Sequence, residues 1–245
     1  MKAHLPNLIT LLNLASGTAA IVLCLEGQWQ LAVYLMLAAS VFDFLDGFAA
    51  RLLKAHSDTG KQLDSLADMV SFGVLPAVFI YILFKMLFQN QAGDAGKFYD
   101  YFQWVVLISV LLIPVFSAIR LARFNTEAGE DSGSFFYGLP TPAHALFWTG
   151  IFWQVMQSGS LYGTPMNLFF MWAIMLIMAF HMILPIPMYS LKFEHFRIRG
   201  NLVRYLLLLL ALAILLFAGW GGLPLVILVY ILLSLLNLLL SRRVS

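Results

Sequence analysis

Cysteine is almost missing. Cys24 is the only one, set inside an apolar stretch, so an intrachain disulfide is excluded and so is a thiolate metal site. Charge is scarce as well: Asp, Glu, Lys and Arg make up 11% of the 245 residues, where a soluble domain carries about 25%. A chain so poor in polar groups cannot cover its surface against water. No interleaving of basic and aromatic residues points to nucleic acid, and no nucleic-acid partner is expected. No small-residue cleavage site follows the first apolar run, so no signal peptide is expected; Leu25-Glu26-Gly27 leads straight into another apolar run.

What is present is hydrophobic. Apolar residues make up 62% of the chain, and several runs approach the roughly 20 residues needed to span a bilayer. The expected class is an all-α, polytopic transmembrane helical bundle. About eight spans are expected, over 8–25, 31–53, 63–87, 101–124, 142–156, 167–184, 202–217 and 223–240. Glu26-Gly27-Gln28, Gln91-Ala92-Gly93-Asp94, Ser158-Gly159-Ser160 and Trp220-Gly221-Gly222 supply breakers between them. Trp29, Trp104 and Trp220 read as interfacial anchors.

The basic residues set an orientation. With eight spans both termini share one side, which then holds Lys2, Arg51, Lys54, Lys61, Arg120, Arg123, Lys192, Arg197, Arg199, Arg204, Arg242 and Arg243, against Lys85 and Lys97 on the other. Positive residues mark the cytoplasmic face. The expected location is the inner (plasma) membrane, with the loops after spans two, four and six in the cytoplasm.

Acids stand where lipid-facing residues belong. Asp43 and Asp46 are three apart and Asp64 and Asp68 four apart, so each pair shares a helix face. A short turn makes the two helices antiparallel neighbours, and four carboxylates then converge just inside the cytoplasmic surface. An ionised Asp in a helix centre costs about 2.5–3.5 kcal/mol, and like charges add repulsion. Protonation, ion pairing or bound cations can relieve this. Arg51 and Lys54 offset part of the charge, whereas divalent cations satisfy all four carboxylates. Donors that are all hard oxygens select Mg²⁺ or Mn²⁺ over zinc, and two ions sharing carboxylates lie about 3.5–4 Å apart. A proton- or cation-carrying cluster in a transporter is the alternative, because intramembrane acids also mark ion pathways. Gly47, beside Asp46, either lets a ligand approach the backbone or serves close helix packing. His56, alone in the loop between the two acid pairs, reads as solvated loop.

The run Asp43-x-x-Asp46-Gly47-x-x-Ala50-Arg51, eight residues, then Gly60-x-x-x-Asp64-x-x-x-Asp68 resembles the signature of the CDP-alcohol phosphotransferases. That resemblance implies a core of six transmembrane helices, here 1–192, followed by an extension of two C-terminal helices, 193–245. It implies that Asp43, Asp46, Asp64 and Asp68 ligate two divalent cations and that Asp68 is the general base. It also implies that Pro6, Asn7, Leu8, Ile9, Gly47, Arg51 and Ser57 contact the CDP-lipid, and that the protein is a homodimer embedded in membrane lipid.

Softer segments point within the family. The segments from Pro6 to Asn13, from Ser71 to Ala77, from Arg120 to Asn125, from Gly138 to Ala143 and from Tyr189 to Lys192 resemble the CDP-diacylglycerol–serine O-phosphatidyltransferases. His144 stands where a small residue is expected. The implied substrates are CDP-diacylglycerol and L-serine. The chemistry this resemblance implies is a single in-line displacement, with Asp68 expected to take the serine hydroxyl proton and CMP to leave. Arg120 and Arg123, three apart at the end of the fourth span, suit the serine carboxylate, because Arg grips a carboxylate with two parallel bonds; Asn125 or Lys192 is expected to assist. Headgroup anchoring or CDP-phosphate binding is the other reading of the two arginines. Rival functions are a sister enzyme using glycerol 3-phosphate, inositol phosphate or choline, an ion transporter, and an inactive scaffold.

Overall fold

A computed structural model describes residues 4–55, 57–89, 96–127, 135–158, 165–189 and 201–241. Lys2, His56, Lys192, Arg197, Arg199, Arg242 and Arg243 lie outside the described residues.

The all-α expectation holds, with one small addition. Helices α1 (His4–Leu25) and α2 (Trp29–Leu52) form an antiparallel pair. Gly27 takes a φ of +77°, with no atom near enough to hinder a side chain; the left-handed backbone explains the residue. The α1–α2 turn closes through Gly27 N–H to the Cys24 carbonyl at 3.1 Å and Gln28 N–H to the Leu23 carbonyl at 2.8 Å. At its other end α2 stops where Lys54 adopts φ 49°, an uncommon conformation for a residue with a Cβ. Ser57 then caps α3 (Asp58–Asp68), its Oγ accepting from Gly60 N–H at 3.0 Å.

Helix α3 runs without a loop through a π turn (Met69–Val74) into α4 (Leu75–Gln89). Pro76 has no N–H for the Phe72 carbonyl and its ring crowds that carbonyl, so a wider turn relieves the conflict. Such π segments recur at functional sites. Helices α5 (Gly96–Glu127), α6 (Thr141–Ser158) and α7 (Pro165–Ile183) follow. Helix α8 (Leu202–Ala218) joins α9 (Leu223–Ser241) through a 3-10 turn at Gly219–Gly222, and the two pack against each other. Two three-residue strands, β1 (Phe135–Tyr137) and β2 (Pro187–Tyr189), pair antiparallel, with Phe135 opposite Tyr189.

Five helical stretches among the described residues are long and apolar enough to cross a membrane: His4–Leu25, Trp29–Leu52, Asp58–Gln89, Tyr101–Thr126 and Leu202–Leu236. With α6 and α7 the count is about seven, where eight were expected. The difference lies at Leu202–Leu236, a single apolar stretch in which the 3-10 turn at Gly219–Gly222, with Gly219 at φ +57°, breaks the helix and folds α9 back against α8.

The core sits between α4 and α6, where Phe79 and Phe152 stack at 4.3 Å around buried Trp148, Phe72 and Leu83. Helix α6 also meets the start of α9 closely: a Cβ at Gly150 would lie 2.8 Å from Leu223 Cβ. Outside, Leu209, Leu212, Leu216, Phe170 and Ile177 are exposed and Phe217 is 94% exposed. Such a surface is costly in water and is the natural one in lipid. This is a membrane protein.

Candidate functional site

The acids come from two elements, and a third orders them. Asp43 and Asp46 sit on the last turns of α2, Asp64 and Asp68 on α3, and α1 packs against both. Oxygen atoms of Asp43, Asp64 and Asp68 all lie within 4.8 Å of one another. Asp46 stands outside that triad but close enough to interact electrostatically with Asp43, Asp64 and Asp68. Its side chain is buried, and Asp46 Oδ2 and Asp64 Oδ1 have no hydrogen-bond partner among the described residues.

Buried carboxylate oxygens without donors are costly. Neither Arg51 nor Lys61 forms a hydrogen bond with them among the described residues, although both line the adjoining cavity. A cluster of hard oxygen donors at this spacing fits a metal ion, and these residues could hold one.

Asn13 was not singled out in the sequence. From the middle of α1 its Nδ2 donates to Asp68 Oδ1 at 3.3 Å, and its carbonyl accepts from Ser71 Oγ, in the π turn, at 3.2 Å. One turn on, Gly17 permits this contact: a Cβ there would lie 2.9 Å from Ser71 Cα. In the sequence Asn13 stands only as the end of the Pro6–Asn13 segment, with no role of its own.

A cavity of about 450 Å³ opens beside the acids. Pro6, Asn7, Gly47, Arg51 and Ser57, all expected at a CDP-lipid site, line it together with Asp46 and Asp64. Thr10, Asp58 and Lys61 line it too and were not anticipated. Leu8 and Ile9 do not line it; Leu8 turns outward and is 55% exposed. The helical period separates them from Pro6, Asn7 and Thr10, because successive residues point about 100° apart. Gly47 is informative. A Cβ there would meet only Arg51 Nη1, at 3.6 Å, an ordinary contact. Among the described residues no neighbouring helix crowds it, so the packing explanation finds no support there and the space it leaves belongs to the cavity.

Arg120 and Arg123 line a second cavity, of about 150 Å³, with Phe136, Tyr137 and Met182. Arg120 is buried; its Nη1 donates to Thr141 Oγ1 at 3.3 Å, its guanidinium lies 5.6 Å from the Phe124 ring centre, and its Nε has no partner among the described residues. It also interacts electrostatically with Asp68. Arg123 Nη1 donates to the Ile183 carbonyl at 3.0 Å. Asn125 does not line this cavity. Its Nδ2 donates to Ser65 Oγ at 2.6 Å and its carbonyl accepts from Lys61 Nζ at 2.5 Å, tying the end of α5 to α3. His144 is fully buried in α6, with neither ring nitrogen hydrogen-bonded among the described residues.

A family model described as CDP-alcohol phosphatidyltransferase matches residues 3–188. The chain is 38% identical over 175 residues to the CDP-diacylglycerol–serine O-phosphatidyltransferase of Mycobacterium bovis, covering 69% of this chain and 55% of that protein. It is 38% identical over 145 residues to the archaetidylserine synthase of Methanothermobacter thermautotrophicus, covering 58% and 54%. Against the CDP-diacylglycerol–serine O-phosphatidyltransferase of Helicobacter pylori it is 36% identical over 141 residues, with 58% and 54% covered. The chain spans about half the length of the curated relatives it matches.

Proposed function

The chain belongs to the CDP-alcohol phosphatidyltransferase family, and from that premise we propose that it transfers the phosphatidyl group of CDP-diacylglycerol to the hydroxyl of L-serine, giving phosphatidylserine and CMP. The observation that carries this reading is the meeting of Asp43, Asp64 and Asp68 within 4.8 Å, beside a cavity lined by Gly47, Arg51 and Ser57. The relatives whose names specify serine or archaetidylserine support the choice of acceptor.

Asp43, Asp46, Asp64 and Asp68 hold two divalent cations, Mg²⁺ or Mn²⁺, which when bound supply charge neutralisation for the diphosphate and the leaving phosphate. The chain does the rest. Gly47 leaves room for the diphosphate against the α2 backbone. Arg51 and Lys61, at the rim of the same cavity, offer charged donors to phosphate oxygens. Ser57 and Asn7 contact the nucleotide half. Asp68 accepts the serine hydroxyl proton as the new O–P bond forms and the P–O bond to CMP breaks. Asn13 holds one Asp68 oxygen and thereby fixes the orientation of the carboxyl. Arg120 binds the serine carboxylate through its unpartnered Nε edge, with Arg123 adding charge at the cavity mouth. Asn125 instead sets the position of α3 against α5.

Orientation follows the same reading. Arg51, Lys61 and Arg120 stand at the acid end, and Lys85 stands 17 residues beyond Asp68 on the continuous α3–α4 unit, about 25 Å away along a helix. That asymmetry supports an active site facing the cytoplasm at the inner membrane. A homodimer in membrane lipid completes the reading, on the strength of the family.

The test is an acceptor screen. Purified full-length protein is given CDP-diacylglycerol with serine, glycerol 3-phosphate, inositol phosphate or choline, and CMP release is followed. Release with serine above the others supports the reading; release with another alcohol alone overturns the acceptor assignment.

A further inference from the structure

The match to the family model ends at residue 188, and the next residue, Tyr189, is where the C-terminal helices grip the rest of the molecule. Tyr189 N–H donates to Ser234 Oγ at 3.3 Å, and the Tyr189 carbonyl accepts from Tyr230 Oη at 3.1 Å. Ser234 and Tyr230 are four apart on α9 and so share a face. Ser234 Oγ donates to the Tyr230 carbonyl at 2.8 Å, which spends its hydrogen and leaves lone pairs for the Tyr189 N–H. From α8, Arg204 sets its guanidinium 4.8 Å from the Tyr189 ring centre. All three gripping side chains are buried.

Tyr189 is also the last residue of β2, paired with Phe135 at the start of β1. The strap made by the two strands borders the Arg120–Arg123 cavity: Phe136 and Tyr137 come from β1, and Leu184 and Pro185 from the approach to β2. Gly138, just past β1, takes φ +78°, and a Cβ there would sit 3.0 Å from the Met182 carbonyl carbon. The strap is therefore pressed onto the end of α7 and has little slack.

We propose that the α8–α9 pair is a positioning element for the acceptor pocket, with Tyr230 and Ser234 as positioning residues that fix Tyr189, and through it the strap that walls Arg120. The inference rests on the reading of the Arg120–Arg123 cavity as the acceptor site. Packing alone does not explain the arrangement. Helix α9 already meets α6 through Leu223 and Pro224 against Gly150, and apolar side chains at 230 and 234 would fill the same space without aiming hydroxyls at one backbone unit.

The test uses full-length Tyr230→Phe, Ser234→Ala and the double variant, with Leu232→Ala, an exposed neighbour on α9, as control. Steady-state CMP release is measured while acceptor and CDP-diacylglycerol are varied in turn. Hydrogen exchange is followed at Phe135–Tyr137, Met188 and Tyr189. The expected result is a rise in acceptor KM of about fivefold per hydroxyl removed, in line with one neutral hydrogen bond. KM for CDP-diacylglycerol should stay within about twofold on the same scale, and the strap amides should exchange faster. Equal changes in both KM values, or an unchanged acceptor KM, would overturn the proposal. If the wild type uses another alcohol, the KM split is read with that alcohol, and only the serine reading is lost. Exchange needs no turnover: unchanged strap amides overturn the proposal even in an inert protein, while faster exchange in an inert protein supports the grip and overturns the catalytic reading alone.

Discussion

Asn13 Nδ2 donates to Asp68 Oδ1 at 3.3 Å, tying the first helix to a buried acid of the cluster. Without this donor the carboxyl is free to rotate out of the orientation that receives a proton. Asn13→Ala should lower kcat by about 10–100-fold, the usual cost of losing a partner behind a metal-site ligand. A fall in thermal stability with kcat intact would show that the bond only braces α1.

Gly47 and Gly17 separate two reasons for a missing side chain. A Cβ at Gly47 meets only Arg51 Nη1 at 3.6 Å, whereas one at Gly17 meets Ser71 Cα at 2.9 Å. Gly47→Ala should keep the melting temperature of the wild type while raising KM for CDP-diacylglycerol about tenfold or more, the scale of one intruding methyl in a fitted site. Gly17→Ala should destabilise the fold by about 1–3 kcal/mol through overpacking. Thermal melts in detergent beside CMP-release kinetics decide both, and a melting loss at Gly47→Ala equal to that at Gly17→Ala would return Gly47 to a packing role.

Arg120 and Asn125 make opposite predictions although they are near in sequence. Arg120→Lys removes the planar fork and should raise KM for serine by about ten- to hundredfold, the weight of a charged hydrogen bond, with a much smaller effect on CDP-diacylglycerol. Equal effects on both substrates would make Arg120 a phosphate ligand instead.

Asn125→Ala should leave KM for serine unchanged and cost about 1 kcal/mol of stability, because its amide is committed to Ser65. Chemical or thermal denaturation measures the second, substrate titration the first. A selective rise in serine KM would restore Asn125 to the acceptor site.

The acids were legible in the sequence because their spacings repeat the helical period inside runs where charge is costly. Gly47, Arg51 and Ser57 were legible through the fixed spacing around those acids, and the cavity gathers them. Leu8 and Ile9 lie off the cavity because the linear motif does not show which helical face each residue takes. Asn13 was hidden because its partner lies 55 residues away, set by how α1 crosses the π turn. That turn follows from Pro76 acting on a helix already formed. The strap escaped notice because two strands of three residues are too short to show an alternating pattern. The break expected at Trp220-Gly221-Gly222 is there as a 3-10 turn, entered through Gly219, whose φ of +57° a residue with a Cβ rarely adopts.

The central claim is that acids from α2 and α3 hold divalent metal for the cleavage of CDP-diacylglycerol. The direct measurement is CMP release by the wild type and by Asp64→Asn, each after chelation and after Mg²⁺ or Mn²⁺ is restored. The account predicts that chelation abolishes release by the wild type, that restored metal recovers it, and that Asp64→Asn stays inactive throughout. Release that persists under chelation, or an Asp64→Asn protein that turns over at the wild-type rate, would contradict it.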